Sequence, residues 1–325
     1  MTWLVTADLH LTDRPQDAYR WGIFDWLAEQ QEIHKTKGCL ILGDITDKKD
    51  CHSASLVNRL VDGLCALNPP VYILKGNHDY VDRSNPFFKF LSNIDGIDFI
   101  CETCTINSAI YAIPHQPDQA SFDAACKAMP PGQQIVLLHG LFDGAIAETG
   151  QRLTGLSLAQ LEKKRPRLIL AGDVHKPQQV GCLTYVGAPY RVRFGDDYNP
   201  RVVLVRTDLR LDVLVFPCPT KHSLTITSVD DLKRAGLKRG DQVKLTIALT
   251  REEVVQWEEY KKSALKACEA LGVEVFGPTL KLPDAKPQSQ NQVVRSLSPV
   301  QTFEGFCLSE DIRSDVKKAG LALLE

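Results

Sequence analysis

Apolar residues gather in short unbroken runs along the first half of the chain: WLVTAD at 3–8, CLILGD at 39–44, VYILKG at 71–76, AIYAIP at 109–114, QIVLLHG at 134–140 and RLILAGD at 167–173. Unbroken runs, as opposed to alternating ones, predict strands buried on both faces. Between the first three the period changes. Trp21, Phe24, Leu27 and Ala28 share one face of a helix, and so do Leu56, Leu60, Leu64 and Leu67. Strands alternating with helices predict a layered α/β domain whose central sheets are covered by helices. Three later runs, LTYVGAP at 183–189, RVVLVRTD at 201–208 and LDVLVFP at 211–217, are expected to complete a second sheet.

The pattern shifts at FPCPTKHS, residues 216–223, where two prolines bracket a turn. We place a boundary there, giving a first domain over 1–218. QVKLTIAL at 242–249, a helical pattern from Arg251 to about Ala270 and VEVFGPTLKL at 273–282 predict a small β-α-β accessory module within 219–282. LPDAKPQSQNQ, residues 282–292, is polar and aperiodic, the composition of a linker or exposed loop. The remainder, to residue 325, predicts a helix capped by Ser309, with Glu310 and Asp311 in its first turn. Its apolar stripe is Ile312, Val316, Ala319 and Leu323.

Composition narrows the class. The chain has 325 residues, 44% of them hydrophobic, enough for one large α/β core and a smaller domain. MTWLVTADLH carries no basic segment or cleavage site, and no apolar run approaches bilayer length, so the expected location is the cytoplasm, with no membrane partner. Ten scattered cysteines are then expected to be reduced thiols. Cys101 and Cys104 form a CxxC pair, but no second pair completes a zinc site. A net charge of −2 speaks against a simple basic nucleic-acid-binding module. Bound metal ions would reverse the local field, so the partner class depends on the site.

The strand ends carry the chemistry. The first run ends in Asp8-Leu9-His10, the second in Gly43-Asp44-Ile45-Thr46-Asp47 and the third in Gly76-Asn77-His78-Asp79. A later one ends in His139-Gly140 and the last in Gly172-Asp173-Val174-His175. An aspartate and histidine two apart after a strand are, taken singly, an ordinary polar turn. Five such ends, holding four of the eight histidines, point instead to one crevice at the carboxyl edge of the sheets. Carboxylate, imidazole and amide ligands without thiolate favour manganese, iron or zinc in an open site. Two such ions about 3.5–4 Å apart, sharing a carboxylate, suit in-line hydrolysis of a phosphoester.

In this order DLH, GDxxD, GNHD, an isolated His-Gly and a final GxxH resemble the five motifs of the calcineurin-like metallophosphoesterase superfamily, across residues 8–175. The segment GDVHKPQQVGCLTYVGAPYRVRFGDDYNPRV, residues 172–202, is similar to that of SbcD-type DNA nucleases. GDITDKK and GNHD differ from the GDxVDRG and GNHE of the superfamily's protein phosphatases. The resemblance implies a four-layer α/β/β/α sandwich with a small capping domain. It also implies two divalent ions, expected to be manganese. Asp8, His10 and His175 would hold one, and Asn77, His139 and Asp173 the other, with Asp44 bridging. His78 would act as general acid, oriented by Asp47. Position 173 usually carries histidine in the family; aspartate there remains a competent ligand for a hard cation.

Residues off the motifs stay open. His52 follows GDITD closely enough to reach substrate, or else caps a helix or faces solvent. Tyr190, Arg191 and Arg193 are placed either to contact phosphates or to pack near the site. The resemblance implies 3′ to 5′ exonuclease action on double-stranded DNA ends and endonuclease action on single strands, in recombination and repair. A phosphatase or phosphodiesterase acting on small phosphoesters or phosphoproteins is the first alternative, and a non-catalytic DNA-end-binding component the second. No GxxxxGK[ST] loop occurs, so the chain is not expected to use ATP through a P-loop itself; the resemblance implies an SbcC-type ATPase of the SMC class in trans, with the C-terminal region as its docking surface. A homodimer built near the helices of the first domain is likewise implied.

Overall fold

The computed structural model describes residues 2–147 and 150–282; the predicted linker and C-terminal helix within 283–325 lie outside the described residues. The strands of the first half are β1 (Trp3–Thr6), β2 (Cys39–Ile41), β3 (Val71–Leu74), β4 (Ile97–Ile100), β5 (Cys104–Asn107), β6 (Ile110–Ile113) and β7 (Ile135–His139). They are followed by β8 (Leu168–Gly172), β9 (Gln178–Val180), β10 (Leu183–Tyr185), β11 (Val202–Val205) and β12 (Leu211–Leu214). The helices between them are α1 (Ile23–His34), α2 (Ala54–Cys65), α3 (Gln119–Ala128) and the single turn α4 (Ala159–Glu162). A 3-10 helix, Pro15–Gly22, leads into α1.

Two six-stranded sheets result, in the orders β12-β11-β1-β2-β3-β4 and β5-β6-β7-β8-β10-β9. In the first, β1 to β4 run parallel; in the second, β6, β7, β8 and β10 do. Alternate residues of each strand face opposite layers. Trp3 and Val5 of β1 join Leu40, Leu137 and Leu170 between the sheets, whereas Leu4 packs with Ile41, Ile73 and the helix residues Phe24, Leu27, Leu60 and Leu64. On the other side Phe122 and Cys126 of α3 and Leu161 of α4 cover Val136, Leu138 and Ile169. Helix, sheet, sheet and helix therefore make the expected four-layer α/β sandwich. Each fully buried leucine of these layers contributes roughly 2 kcal/mol of hydrophobic stabilisation.

Local chemistry sets the helix limits. The Ser53 side chain accepts from Leu56 N at 3.0 Å to start α2, and Asp118 accepts from Ser121 N at 2.8 Å to start α3. Lys35, at a left-handed φ of 48°, ends α1.

One expectation needs correction. β11 and β12 do not complete the second sheet; they extend the first, β11 lying antiparallel to β1 with Trp3 opposite Val205. Val203 and Val205 face the intersheet core while Val202 and Leu204 face the helix layer. A strand apolar on both faces fits an inner position in either sheet, so its pattern could not name its neighbour. Of the three late runs, 183–189 joins the second sheet, through β10.

Beyond these lies a small sheet of order β13-β14-β15, formed by β13 (Lys221–Ile226), β14 (Gln242–Ala248) and β15 (Glu274–Lys281). It carries α5 (Val229–Arg234) and α6 (Trp257–Leu271). β14, α6 and β15 are the β-α-β unit read from the sequence, and β13 and α5 precede it. α5 starts at a capping box between Ser228 and Asp231, and α6 ends at Gly272, φ 68°. Among the described residues, those up to 248 and 256–280 form one compact unit, and 249–255 with 281–282 belong to a second. In the second, Leu249 N bonds the Lys281 carbonyl at 3.1 Å, and Glu253 caps Thr250 N at 2.9 Å.

Candidate metal centre

Parallel strands place their carboxyl ends along one edge, and there the chain turns sharply. Asp8, His10, Asp44 and Asp173 all have positive φ, of 54°, 40°, 53° and 92°. Side chains other than glycine rarely adopt this region, and the cost of order 1–3 kcal/mol each is met where surrounding bonds over-determine the conformation. Those bonds are present. His10 N donates to Asp44 O at 3.0 Å, and Asp8 N to Gly43 O at 3.1 Å. The carboxylate of Asp79, fully buried, accepts from Gly76 N (2.7 Å), Asp44 N (2.9 Å) and Ile45 N (3.0 Å), tying two strand-end turns together. Side chains hold the first loop from outside: Arg20 donates to His10 O (2.6 Å), Trp21 Nε1 to Thr12 O (3.0 Å), and the Tyr190 hydroxyl to Leu9 O.

The result is a dense cluster. Ligand atoms of Asp8, Asp44 and His139 all lie within 4.8 Å of one another, and all three residues are buried. His139 Nδ1 bonds the Leu42 carbonyl at 2.6 Å, so that nitrogen carries the proton and Nε2 faces the carboxylates. Nε2 stands 3.4 Å from Asp44 Oδ1 and 3.8 Å from Asp173 Oδ1. His10 Nε2 lies 3.6 Å from the other Asp44 oxygen and 3.0 Å from His175 Nε2. Asp173 N donates to Asp8 Oδ1 at 2.9 Å, and His78 N to Asp44 Oδ1 at 2.8 Å.

Several of these contacts call for a cation. The Asn77 amide oxygen is 3.0 Å from His139 Nε2, and the same atom position is 3.1 Å from both Asp44 oxygens and 3.3 Å from Asp173 Oδ1. Without a cation, the amide must rotate to turn its NH2 toward these carboxylates; a shared cation satisfies the oxygens as they stand. Asp8 Oδ2 is buried with no hydrogen-bond partner among the described residues. Two imidazole nitrogens 3.0 Å apart match neighbouring corners of a site with metal–nitrogen bonds of about 2.1 Å. The electrostatics agree. Burial opposes protonation of His139, but the carboxylates of Asp44, Asp173 and Asp8 outweigh it and raise the pKa to about 9. Burial, with Asp44 and Asp173 alongside, drives Asp8 well above the usual carboxylate range. Charge crowded like this is relieved by a proton, or more fully by a divalent ion.

Buried carboxylates, imidazoles and an amide gathered at the strand ends of a four-layer α/β fold define a metal-dependent phosphoesterase. The sequence model of the calcineurin-like phosphoesterase family matches residues 1–205 of the 325, and the chain belongs to that family. No curated protein matches it.

The structure brings Asp8, His10, Asp44, Asn77, His139, Asp173 and His175 together and sets His78 at their margin. Its ring is 5.0 Å from that of His10, edge to face. Other expectations change. His78 Nδ1 is held by the main-chain carbonyl of Asp47, at 2.9 Å, and not by the Asp47 carboxylate. That carboxylate is engaged by Arg14 at 2.7 Å. Tyr190 is wholly buried beneath the Arg20 guanidinium, 5.2 Å from its ring, and is closed to substrate. Arg191 spends its donors on the carbonyls of Tyr198 and Lys221, at 3.3 and 3.2 Å. Arg193 is exposed. His52 packs at a tilt against Phe87 and Phe88, centroids 4.6 and 4.9 Å away, and Ser53 caps the helix in its place.

Sequence reasoning gave no role to Asp79, Asp17 or Arg20, although Asp79 stood in the GNHD motif. It also missed that three strand-end glycines make room for one imidazole. A Cβ on Gly43 or Gly76 would come within 2.9 Å of His139 Cε1, and one on Gly172 within 3.0 Å of its Nδ1. Beside the centre, Leu11, Arg14, Asp47, Lys48, His52 and Leu56 line a pocket of about 490 Å³.

Proposed function

We propose that this phosphoesterase is a DNA nuclease of the SbcD type, hydrolysing phosphodiester bonds with two divalent ions, manganese being the expected metal. The observation that carries the step from phosphoesterase to nuclease is the pocket at Asp47, the residue whose carbonyl holds His78. Arg14 and Lys48 line it together with the acidic Asp13 and Asp47, Arg14 being paired to Asp47 at 2.7 Å, and Leu11, Leu56 and His52 supply apolar wall. That combination suits the nucleotide flanking a scissile phosphate. The GDITDKK and GNHD motif forms and the 172–202 segment support the same reading. So does the small sheet, which we assign as the accessory module of 219–282.

In this reading Asp8, His10 and His175 hold one ion, Asn77, His139 and Asp173 the other, and Asp44 contributes to both. The ions supply Lewis acidity and an activated water for in-line displacement. The chain's own residues do the rest. Hydrogen-bonding of His78 Nδ1 to the Asp47 carbonyl leaves Nε2 of the imidazolium as the atom that protonates the leaving oxygen. Asp79 keeps the Asp44 and Gly76 turns in register. An SbcC-type ATPase in trans and a homodimer complete the assembly we expect.

End-labelled duplex DNA incubated with manganese tests the proposal. Wild type is expected to degrade it, and His78→Ala to be about 10²–10⁴-fold slower with its metal content unchanged. DNA left intact, with and without a cognate ATPase, while simple phosphodiesters are cleaved, would overturn the nuclease reading and favour a small-molecule phosphodiesterase.

A further inference from the structure

Three charged side chains lie buried between the small sheet and the first metal loop, outside the ligand set. Arg20 and Asp17, on the 3-10 helix, are each 1% exposed, and Lys221, on β13, is 4% exposed. Lys221 Nζ is 2.6 Å from Asp17 Oδ1 and 3.2 Å from the Val192 carbonyl. The same Asp17 oxygen is 2.9 Å from Arg20 Nη2, which also donates to Val192 O at 2.7 Å. Arg20 Nη1 ends the chain of contacts on His10 O, at 2.6 Å. A second strand of the small sheet grips the same 3-10 helix: Gln242 Nε2 on β14 donates to Gln16 O at 2.6 Å.

We propose that Lys221, Asp17 and Arg20 act as positioning residues that make the seating of the small sheet a condition for metal binding at His10. The proposal rests on the two-ion reading of the centre. Asp17 is a buried carboxylate whose Oδ1 lies between two buried cations, Lys221 and Arg20, while its Oδ2 accepts from the Thr12 hydroxyl at 3.1 Å and lies 4.0 Å from the exposed Arg14. Among the described residues, withdrawing Lys221 leaves Arg20 as its buried counter-charge, with the exposed Arg14 4.0 Å away. The guanidinium is a rigid planar fork, so turning it toward Asp17 takes Nη1 away from the His10 carbonyl. His10 holds an unfavourable φ of 40°, and that carbonyl bond is the side-chain contact on its own peptide that helps sustain it, beside the His10 N–Asp44 O bond. Its Nε2 must stay beside that of His175, where displacements of a fraction of an ångström matter to a ligand pair. A partner that shifts the small sheet would thereby lower the affinity of the ion that His10 would hold and leave unchanged the one that Asn77, His139 and Asp173 would hold.

The test uses the full chain in three forms: wild type, Lys221→Met and Lys221→Arg. Manganese titration by calorimetry is expected to show one of two binding steps weakened about 10–100-fold in Lys221→Met, the other unchanged, and Lys221→Arg restored to near wild type. Hydrogen exchange in metal-free protein supplies a second readout. The amides of Asp8, His10 and Leu11, bonded to Gly43, Asp44 and Ile45 carbonyls, are expected to exchange about tenfold faster in Lys221→Met, while β2 and β3 keep their rates. Wild-type metal affinity with wild-type exchange at residues 8–11 overturns the proposal. A uniform rise in exchange overturns it too, because it shows a role in global stability alone. Should the wild type bind no divalent ion, the two-ion reading fails, and the exchange comparison still decides whether Lys221 governs the loop.

Discussion

Gly76→Ala is the sharpest test of how this centre is built. Gly76 has no positive φ, so alanine brings no backbone strain and the effect is one of space alone. A Cβ there would lie 2.5 Å from Asp44 N and 2.9 Å from His139 Cε1, and closer still to Asp44 Oδ1. Ordinary contact needs about 3.5 Å, so something must move by about 1 Å. None of these atoms is free to do so. Asp44 N is bonded to Asp79 at 2.9 Å, and the His139 ring is anchored on Leu42 O at 2.6 Å. Overpacking of this kind costs about 1–3 kcal/mol of stability, measurable by urea unfolding. A displacement of about 1 Å in a catalytic group costs about 10²-fold in rate, close to 2.7 kcal/mol of transition-state stabilisation. The assay is manganese-dependent hydrolysis of bis(p-nitrophenyl) phosphate beside calorimetric metal titration. Gly132→Ala is the control: its φ is 86°, but a Cβ meets nothing within 4 Å, so it should lose stability and keep activity. Gly76→Ala retaining both ions and kcat/KM within threefold of wild type would refute the steric account.

Because the Asp47 carbonyl is what holds His78, Asp47→Ala should lower kcat by less than about tenfold, well short of the loss in His78→Ala; equal losses in the two variants would show that the carboxylate does the orienting. If the centre holds the two ions proposed, Asp173→Ala should reduce bound metal from two ions to one by elemental analysis, and two ions at full occupancy would remove Asp173 from the ligand set. His115, whose Nδ1 bonds Tyr80 at 2.9 Å, is pushed down to about 4, chiefly by burial and then by the charge on His139. A histidine lowered on folding stabilises the protein above its unfolded value of about 6.5 and loses that contribution as pH falls toward 4. In metal-free protein its ring-proton NMR shift should therefore titrate near pH 4, and a midpoint near 6.5 would contradict the structure.

The chain's hydrophobic pattern was enough to locate the strands that end at the centre and helices α1 and α2, because continuous burial demands unbroken apolar runs and one-sided burial demands a helical period; β4, β5, α3 and α4 left no such mark. The polar residues closing those runs were enough to name the cluster, since ligands at the ends of parallel strands need no further information to converge. Which strands pair was another matter. β11 carries apolar residues on both faces and would fit inside either sheet; only the register of Trp3 against Val205 places it beside β1. The supporting contacts were equally hidden. Arg20 reaches Val192 across 172 positions, and Lys221 reaches Asp17 across 204. Asp47 acts on His78 through a carbonyl that every residue possesses, and Tyr190 turned inward to hold Leu9 O. Periodicity and motif record what a residue does for its own element. Contacts between distant elements leave no local trace in the chain, so only the tertiary structure decides them.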